Sequence, residues 1–294
     1  MPNWNEILDE VKSAGSTFDI VRKRYLKNLH QLTGRNLIAY YSGWLQKKGN
    51  LPFGIDDSDK IGFMTTIHGL DRTKGLDLIL HTPGGDMAAT ESIVDYLHEM
   101  FKMDIRAVVP QLAMSGGTMI ACACKSIIMG KHSNLGPIDP QIGGLPAHAI
   151  IEEFENAHKE TKNDPTKIEI WRPIISKYPP TIIGECQKAI RWAEEMVSLW
   201  LSEGMLNNDP QKSQKIKNVL EELGNHSLTK SHARHLSASK CMNMGLRIEM
   251  MEKDQRLQDA ILALHHIYMI TLSATYDVKI IENHNGIAYI PQTS

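Results

Sequence analysis

The sequence predicts an α/β fold built on a parallel sheet, and two observations carry that prediction. Between residues 76 and 124 two strand–turn–helix units follow one another, each a short apolar strand that ends in a glycine-rich turn and opens a helix. The strands are short and mostly apolar, as suits a buried sheet, and repeated β/α order places functional loops at the strand C-termini.

Residues up to about 33 read as helix, with Ile7, Val11, Ile20, Val21, Tyr25, Leu26 and Leu29 near helical spacing. Asn36–Trp44 is strand-like, and Leu76–His81 is a short apolar strand running into Thr82-Pro83-Gly84-Gly85. Thr90–Lys102 has Ile93, Val94, Leu97 and Phe101 on one helical face. The second unit is a strand at Ile105–Val109, a turn at Pro110–Met114 and a small-residue helix over Ser115–Cys124, followed by a strand at Ser126–Met129. Gly and Pro then make residues 131–147 a loop. Helices are expected at about 148–162, 182–205, 211–223 and 247–273, and Val278–Ile290, with Asn285-Gly286 inside it, reads as a hairpin. The organisation expected is an N-terminal helical extension (1–35), an α/β core (36–248) and a C-terminal helix and hairpin (249–294) suited to packing or oligomerisation.

Composition sets the class. A hydrophobic content of 42% suits a globular core, and 32 basic against 34 acidic residues, without a long run of either sign, give no footing for nucleic acid. The start of the chain is polar and has neither signal- nor transit-peptide character, and the most apolar stretch, Ile105–Gly130, is interrupted too often to span a bilayer. A cytoplasmic protein with no integral membrane segment is expected. Cys122, Cys124, Cys186 and Cys241 lack zinc-site spacing and read as buried thiols; no metal and no organic cofactor is implied.

Chemistry concentrates at Ser115. A serine nucleophile needs an exposed hydroxyl at a sharp turn, a base, and two amides aimed at the developing oxyanion. Ser115 lies at a strand-to-helix transition before Gly116-Gly117, whose first amide is an unpaired helix donor. The Gly84-Gly85 pair occupies the equivalent point of the preceding unit and would face the same sheet edge.

The segment LILHTPGGDMAATESIVDYL, followed by VVPQLAMSGGTMIACACKSIIMGKHSNLGPIDPQIGG, resembles the Clp-fold serine peptidases, among them the caseinolytic protease and signal peptide peptidase A. Over much of its length the chain is similar to the serine dehydrogenase proteinase family. A third block, Leu236–Leu246, is similar to the LSA…GL segment behind the Clp catalytic core. The resemblance implies a Clp/crotonase-like fold of repeated β-β-α units, a serine peptidase with Ser115 as nucleophile, oxyanion donors from Gly84, Gly85 and Gly116, a protein or peptide substrate, and a homo-oligomer. The triad is not carried over: where the Clp protease has its His and Asp, this chain falls near Asp139-Pro140 and Thr229.

The base is therefore open. Signal peptide peptidase A uses a Ser–Lys pair, and Lys177, in an apolar, proline-rich segment just before a long helix, resembles its lysine-bearing stretch. Lys159 is the second lysine; His132 and the His226, His232, His235 cluster offer imidazole instead. His81 could line the site, and Asp139 could orient a base or touch substrate. A crotonase-like acyl-thioester enzyme and a catalytically inactive scaffold are the alternatives to a peptidase.

Overall fold

The computed structural model describes residues 4–13, 18–224 and 233–292. In chain order it comprises helices α1 (Trp4–Ser13) and α2 (Phe18–Thr33), strand β1 (Asn36–Ser42), helix α3 (Asp57–Ile67), strand β2 (Leu76–His81) and helix α4 (Met87–Phe101). Strands β3 (Ile105–Val109) and β4 (Leu112–Ala113), helix α5 (Gly116–Cys122) and strands β5 (Ser126–Met129), β6 (Asn134–Leu135), β7 (Gln141–Ile142) and β8 (Leu145–Pro146) follow. Helices α6 (Ala147–Asn163), α7 (Ile168–Ile175), α8 (Ile182–Glu203) and α9 (Lys212–Gly224) form the next section. The chain closes with β9 (Leu236–Ser237), α10 (Ala238–Met244), β10 (Ile248–Met250), α11 (Gln255–Ala274), β11 (Lys279–Asn283) and β12 (Ala288–Tyr289).

One seven-stranded sheet, in the order β10-β5-β3-β2-β1-β11-β12, organises these elements. From β10 to β1 every pairing is parallel, with Leu78 of β2 opposite both Ile38 and Ala107. Strand alternation then assigns each side chain to a face. Ile38, Leu78, Leu80 and Ala107 join the core beneath α4, α5 and α8, whereas Leu37, Ile79, Val108 and Ile128 join a second core against α1, α2 and α11. The result is a three-layer α/β/α body, with Ser115 on the α4/α5 side at the carboxyl end of the parallel strands.

Two expectations change. The helix foreseen from 247 begins only at Gln255: Ile248–Met250 instead pairs with β5 as an edge strand, and Asp254 caps the helix through the amides of Arg256 and Leu257. Helix α3, which periodicity does not announce, is started by a capping box in which Asp56 accepts from Ser58 N–H and Asp59 accepts from Asp56 N–H. The C-terminal hairpin is a hairpin, and its first strand also pairs antiparallel with β1, so it continues the central sheet.

Buried charges fasten this sheet at three points, each with its counter-charge in contact. Asp77 on β2 receives Arg35 Nε at 2.7 Å and Arg106 Nη2 at 2.7 Å. Arg22 from α2 pairs with the fully buried Glu282 of β11, which also accepts from the Tyr268 hydroxyl at 3.0 Å. Lys279, 1% exposed, bridges Asp56 at 2.8 Å and Asp59 at 2.7 Å. Removing one partner of such a pair typically costs about 3–5 kcal/mol, because the other is left buried and uncompensated.

His81 ends β2 on the α11 side, fully buried against Trp44, Tyr41 and His265. Burial pushes its pKa down from 6.5 to about 3. The unfolded chain therefore binds one more proton than the folded one between those two values, and this group's contribution to stability is lost as pH falls through that window. His81→Leu is expected to flatten the acid limb: urea melts should show a smaller loss of stability between about pH 7 and about pH 4 than in the parent chain. An unchanged difference between the two melts would contradict a neutral buried His81.

Candidate active site

Two strand exits are laced together to make the site. Thr82, just past β2, donates its N–H to Leu112 O at 3.2 Å and accepts from Met114 N–H at 3.0 Å, so the β3 exit runs beside the β2 exit. This pairing drives Gly84 against Ser115. A Cβ on Gly84 would stand 2.5 Å from Ser115 Cβ and 2.7 Å from Met114 O, and its φ of 92° lies where side chains are disfavoured. Gly85 is as tightly held on its other flank, where a Cβ would lie 2.1 Å from Ile55 N. Ile55 N–H donates to Gly84 O and Asp86 N–H to Ile55 O, both at 2.8 Å. Lys279 secures the Ile55 segment by donating to Gly54 O at 3.0 Å and to Asp56.

Ser115 occupies the N-cap position of α5, yet its hydroxyl makes no capping bond. The cause is its backbone: φ 49° and ψ −117° turn the side chain away from the first helical amides. The turn is held from below, by Gly117 N–H to Met114 O at 2.8 Å and by Thr118 Oγ1 to Ala113 O at 2.8 Å. Such a conformation costs roughly 1–3 kcal/mol and persists only where its surroundings over-determine it, as they do here.

Of the three glycine amides, the Gly84 N–H is already engaged with Thr82 Oγ1 at 3.2 Å. Among the described residues neither Gly85 N–H nor Gly116 N–H has an acceptor. They are neighbours, since a Cβ on Gly116 would lie 3.5 Å from Gly85 N. Two free amides beside a half-buried hydroxyl form a geometry suited to a tetrahedral oxyanion.

A cavity of about 290 Å³ opens on this spot. Its apolar walls come from Met87, Met119, Ile138, Ala189 and Trp192, the last held by an Nε1–H bond to Glu91 at 3.3 Å. Asp139, 1% exposed, also lines it, together with Asp86, whose side chain caps α4 through Ala89 N–H at 2.8 Å. Asp139 thus lines the same cavity as Ser115. No lysine or histidine is among the described residues that line this cavity.

The other sequence candidates lie elsewhere. Lys177 is exposed at the corner between α7 and α8, and Lys159 is exposed on α6. His132 lines a different cavity, on the opposite face of the sheet. His81 faces that side too: β2 sends Leu78 and Leu80 toward α4, so His81 must point the other way, which corrects its placement in the site. His235 is exposed, and His226 and His232 lie outside the described residues. Sequence reasoning missed Ile55, Lys279 and Trp192, none of which carries a local motif.

A family model described as ClpP-like SDH-type serine proteinase matches residues 51–282. Two uncharacterized proteins of Methanocaldococcus jannaschii are similar, one 40% identical over 114 residues, covering 39% of this chain and 39% of the relative. The other is 32% identical over 194 residues, covering 66% of this chain and 58% of the relative. The chain thus spans less than two thirds of the length of either relative. With the matched region reaching from just before Ile55 to Glu282, and so holding both glycine turns, Ser115 and Asp139, the chain belongs to the ClpP-like SDH-type serine proteinase family.

Proposed function

We propose that the chain hydrolyses peptide bonds through an acyl-enzyme on Ser115, with the Gly85 and Gly116 amides as the oxyanion hole. The observation that carries this reading is the Ser115 turn, where strain frees the hydroxyl from capping next to two unpaired amides. In the first step the Ser115 oxygen attacks the carbonyl carbon, the carbonyl oxygen takes the negative charge beside the two amides, and the amine leaves with a proton; water then releases the carboxylic acid. A crotonase-like thioester enzyme would need the amides but not a freed hydroxyl, so the turn favours the peptidase.

The proton acceptor in this proposal is Lys177. It is exposed ahead of α8 and does not line the Ser115 cavity, so in this proposal it reaches Ser115 from a second copy of the chain. Asp139, buried in the same cavity, would hold the incoming base or the substrate amide.

Ser115→Ala should abolish both hydrolysis of an unstructured protein and labelling by a fluorophosphonate probe, with the circular dichroism unchanged. Labelling that persists in the variant would remove Ser115 as nucleophile. Gly84→Ala should lower turnover by on the order of a hundredfold, because the added methyl displaces the Ser115 turn relative to its donors. A normal rate would mean that the close approach of the two turns is irrelevant to chemistry. Lys177→Arg should be as inactive as Lys177→Ala, since a guanidinium cannot accept the Ser115 proton; if Lys177 acts across subunits, mixing Lys177→Ala with Ser115→Ala should restore activity. Full activity of Lys177→Ala alone would transfer the role to His226, His232 or another base.

A further inference from the structure

A second cavity, of about 420 Å³, opens on the sheet face opposite Ser115, where the loops leaving β1, β3 and β5 meet α11. Leu45, Pro110, Leu262, Met269 and the Trp4 indole give it an apolar wall. Trp4 and Leu45 are 41% and 47% exposed, a high value for large apolar groups at the rim of a cavity. Three imidazoles, His132, His265 and His266, and the carboxamides of Gln46 and Gln111 supply its polar groups, and no carboxylate among the described residues lines it.

The hydrogen bonds define what is missing. His265, 7% exposed, has Nε2 3.2 Å from Gln111 Oε1 and Nδ1 3.2 Å from the Tyr41 hydroxyl. Because the carboxamide oxygen only accepts, Nε2 carries the proton and Nδ1 accepts from Tyr41. The Gln111 amide group keeps its N–H donors, which bond to none of the described side chains. Gln46 Oε1 is a buried acceptor with no donor among the described residues. Buried acceptors of this kind are normally satisfied by protein, by ordered water or by a ligand, and a ligand N–H can serve here.

We infer that this cavity binds the C-terminal residue of a peptide bearing an apolar side chain. Its carboxylate meets the imidazoles of His132 and His266 and the Gln111 amide, its backbone N–H meets Gln46 Oε1, and its side chain rests on Leu45, Leu262 and Met269. Imidazole N–H groups and the Gln111 amide are donors to a carboxylate, and among the described residues no carboxylate lines the cavity to repel it. Such an end is what peptide-bond hydrolysis releases, but the binding itself does not depend on Ser115 chemistry.

The full chain would be titrated with N-acetyl-leucine, N-acetyl-leucinamide and octanoate, read by calorimetry and by the histidine ring proton shifts. N-acetyl-leucine should bind with Kd of about 1 mM or tighter, and the amide about tenfold or more weaker for want of the charge. Octanoate, which lacks the N–H, should bind roughly two- to tenfold more weakly than N-acetyl-leucine. Leu45→Glu, a change at an exposed rim position that places a carboxylate in the cavity, should weaken N-acetyl-leucine by about tenfold or more. Equal binding of acid and amide, octanoate binding as tightly as N-acetyl-leucine, binding untouched by Leu45→Glu, or no binding at all would each overturn the inference.

Discussion

The contact between the Gly84 backbone and the Ser115 turn is the constraint on which the rest of the site depends. It leaves no room for a side chain at Gly84 and fixes the separation between the two β/α exits. The lacing through Thr82 brings it about, and the Ile55 bridge on the far flank of Gly85 prevents relief by backing away. Ser115 is therefore held at a positive φ that an unsupported serine would leave. The free hydroxyl and the two unpaired amides are consequences of that one close approach, not three separate adaptations.

Holding a strained turn requires a frame that does not give, and the frame is electrostatic as well as apolar. Lys279 belongs to β11, at the far end of the sequence, yet it fastens the Gly54–Asp56 segment that in turn fastens Gly85. The pair is buried on the lysine side, so its desolvation must be offset by contact with both Asp56 and Asp59, and Tyr40 completes the network with a 2.8 Å bond to Asp59. Without β11 on the edge of β1, the Gly84-Gly85 turn would lose this support from behind.

How much of this was legible in the sequence divides along the range of the interactions. Strands β2, β3 and β5 are readable because strands of a covered parallel sheet are mostly apolar, even with Asp77 and Arg106 among them, and the glycine turns because a local backbone requirement selects glycine. Asn285-Gly286 likewise announced its hairpin through turn chemistry alone. Helix α11 was read as starting too early because Ile248–Met250 has the composition of either state, and only its pairing with β5 decides for a strand. Lys279 and Ile55 act across 224 residues of chain, a separation at which no periodicity or motif can speak. The face of His81 is legible in the sequence, since alternation from Leu78 and Leu80 sets it opposite α4 whatever its adjacency to the glycine turn.

The β3 exit has a further property, because it walls both cavities: Gln111 faces the rear one and Ser115 the front one, four residues later. The intervening Leu112–Ala113 is pinned on one side by Thr82 and on the other by β6, which pairs it in register with Asn134 and Leu135. A segment bonded on both edges cannot bend locally without losing ladder hydrogen bonds. A rear ligand can shift the Ser115 turn only by as much as it binds one position of that segment better than the other. The bond from His265 to Gln111 sets the resting position against which any such preference is measured.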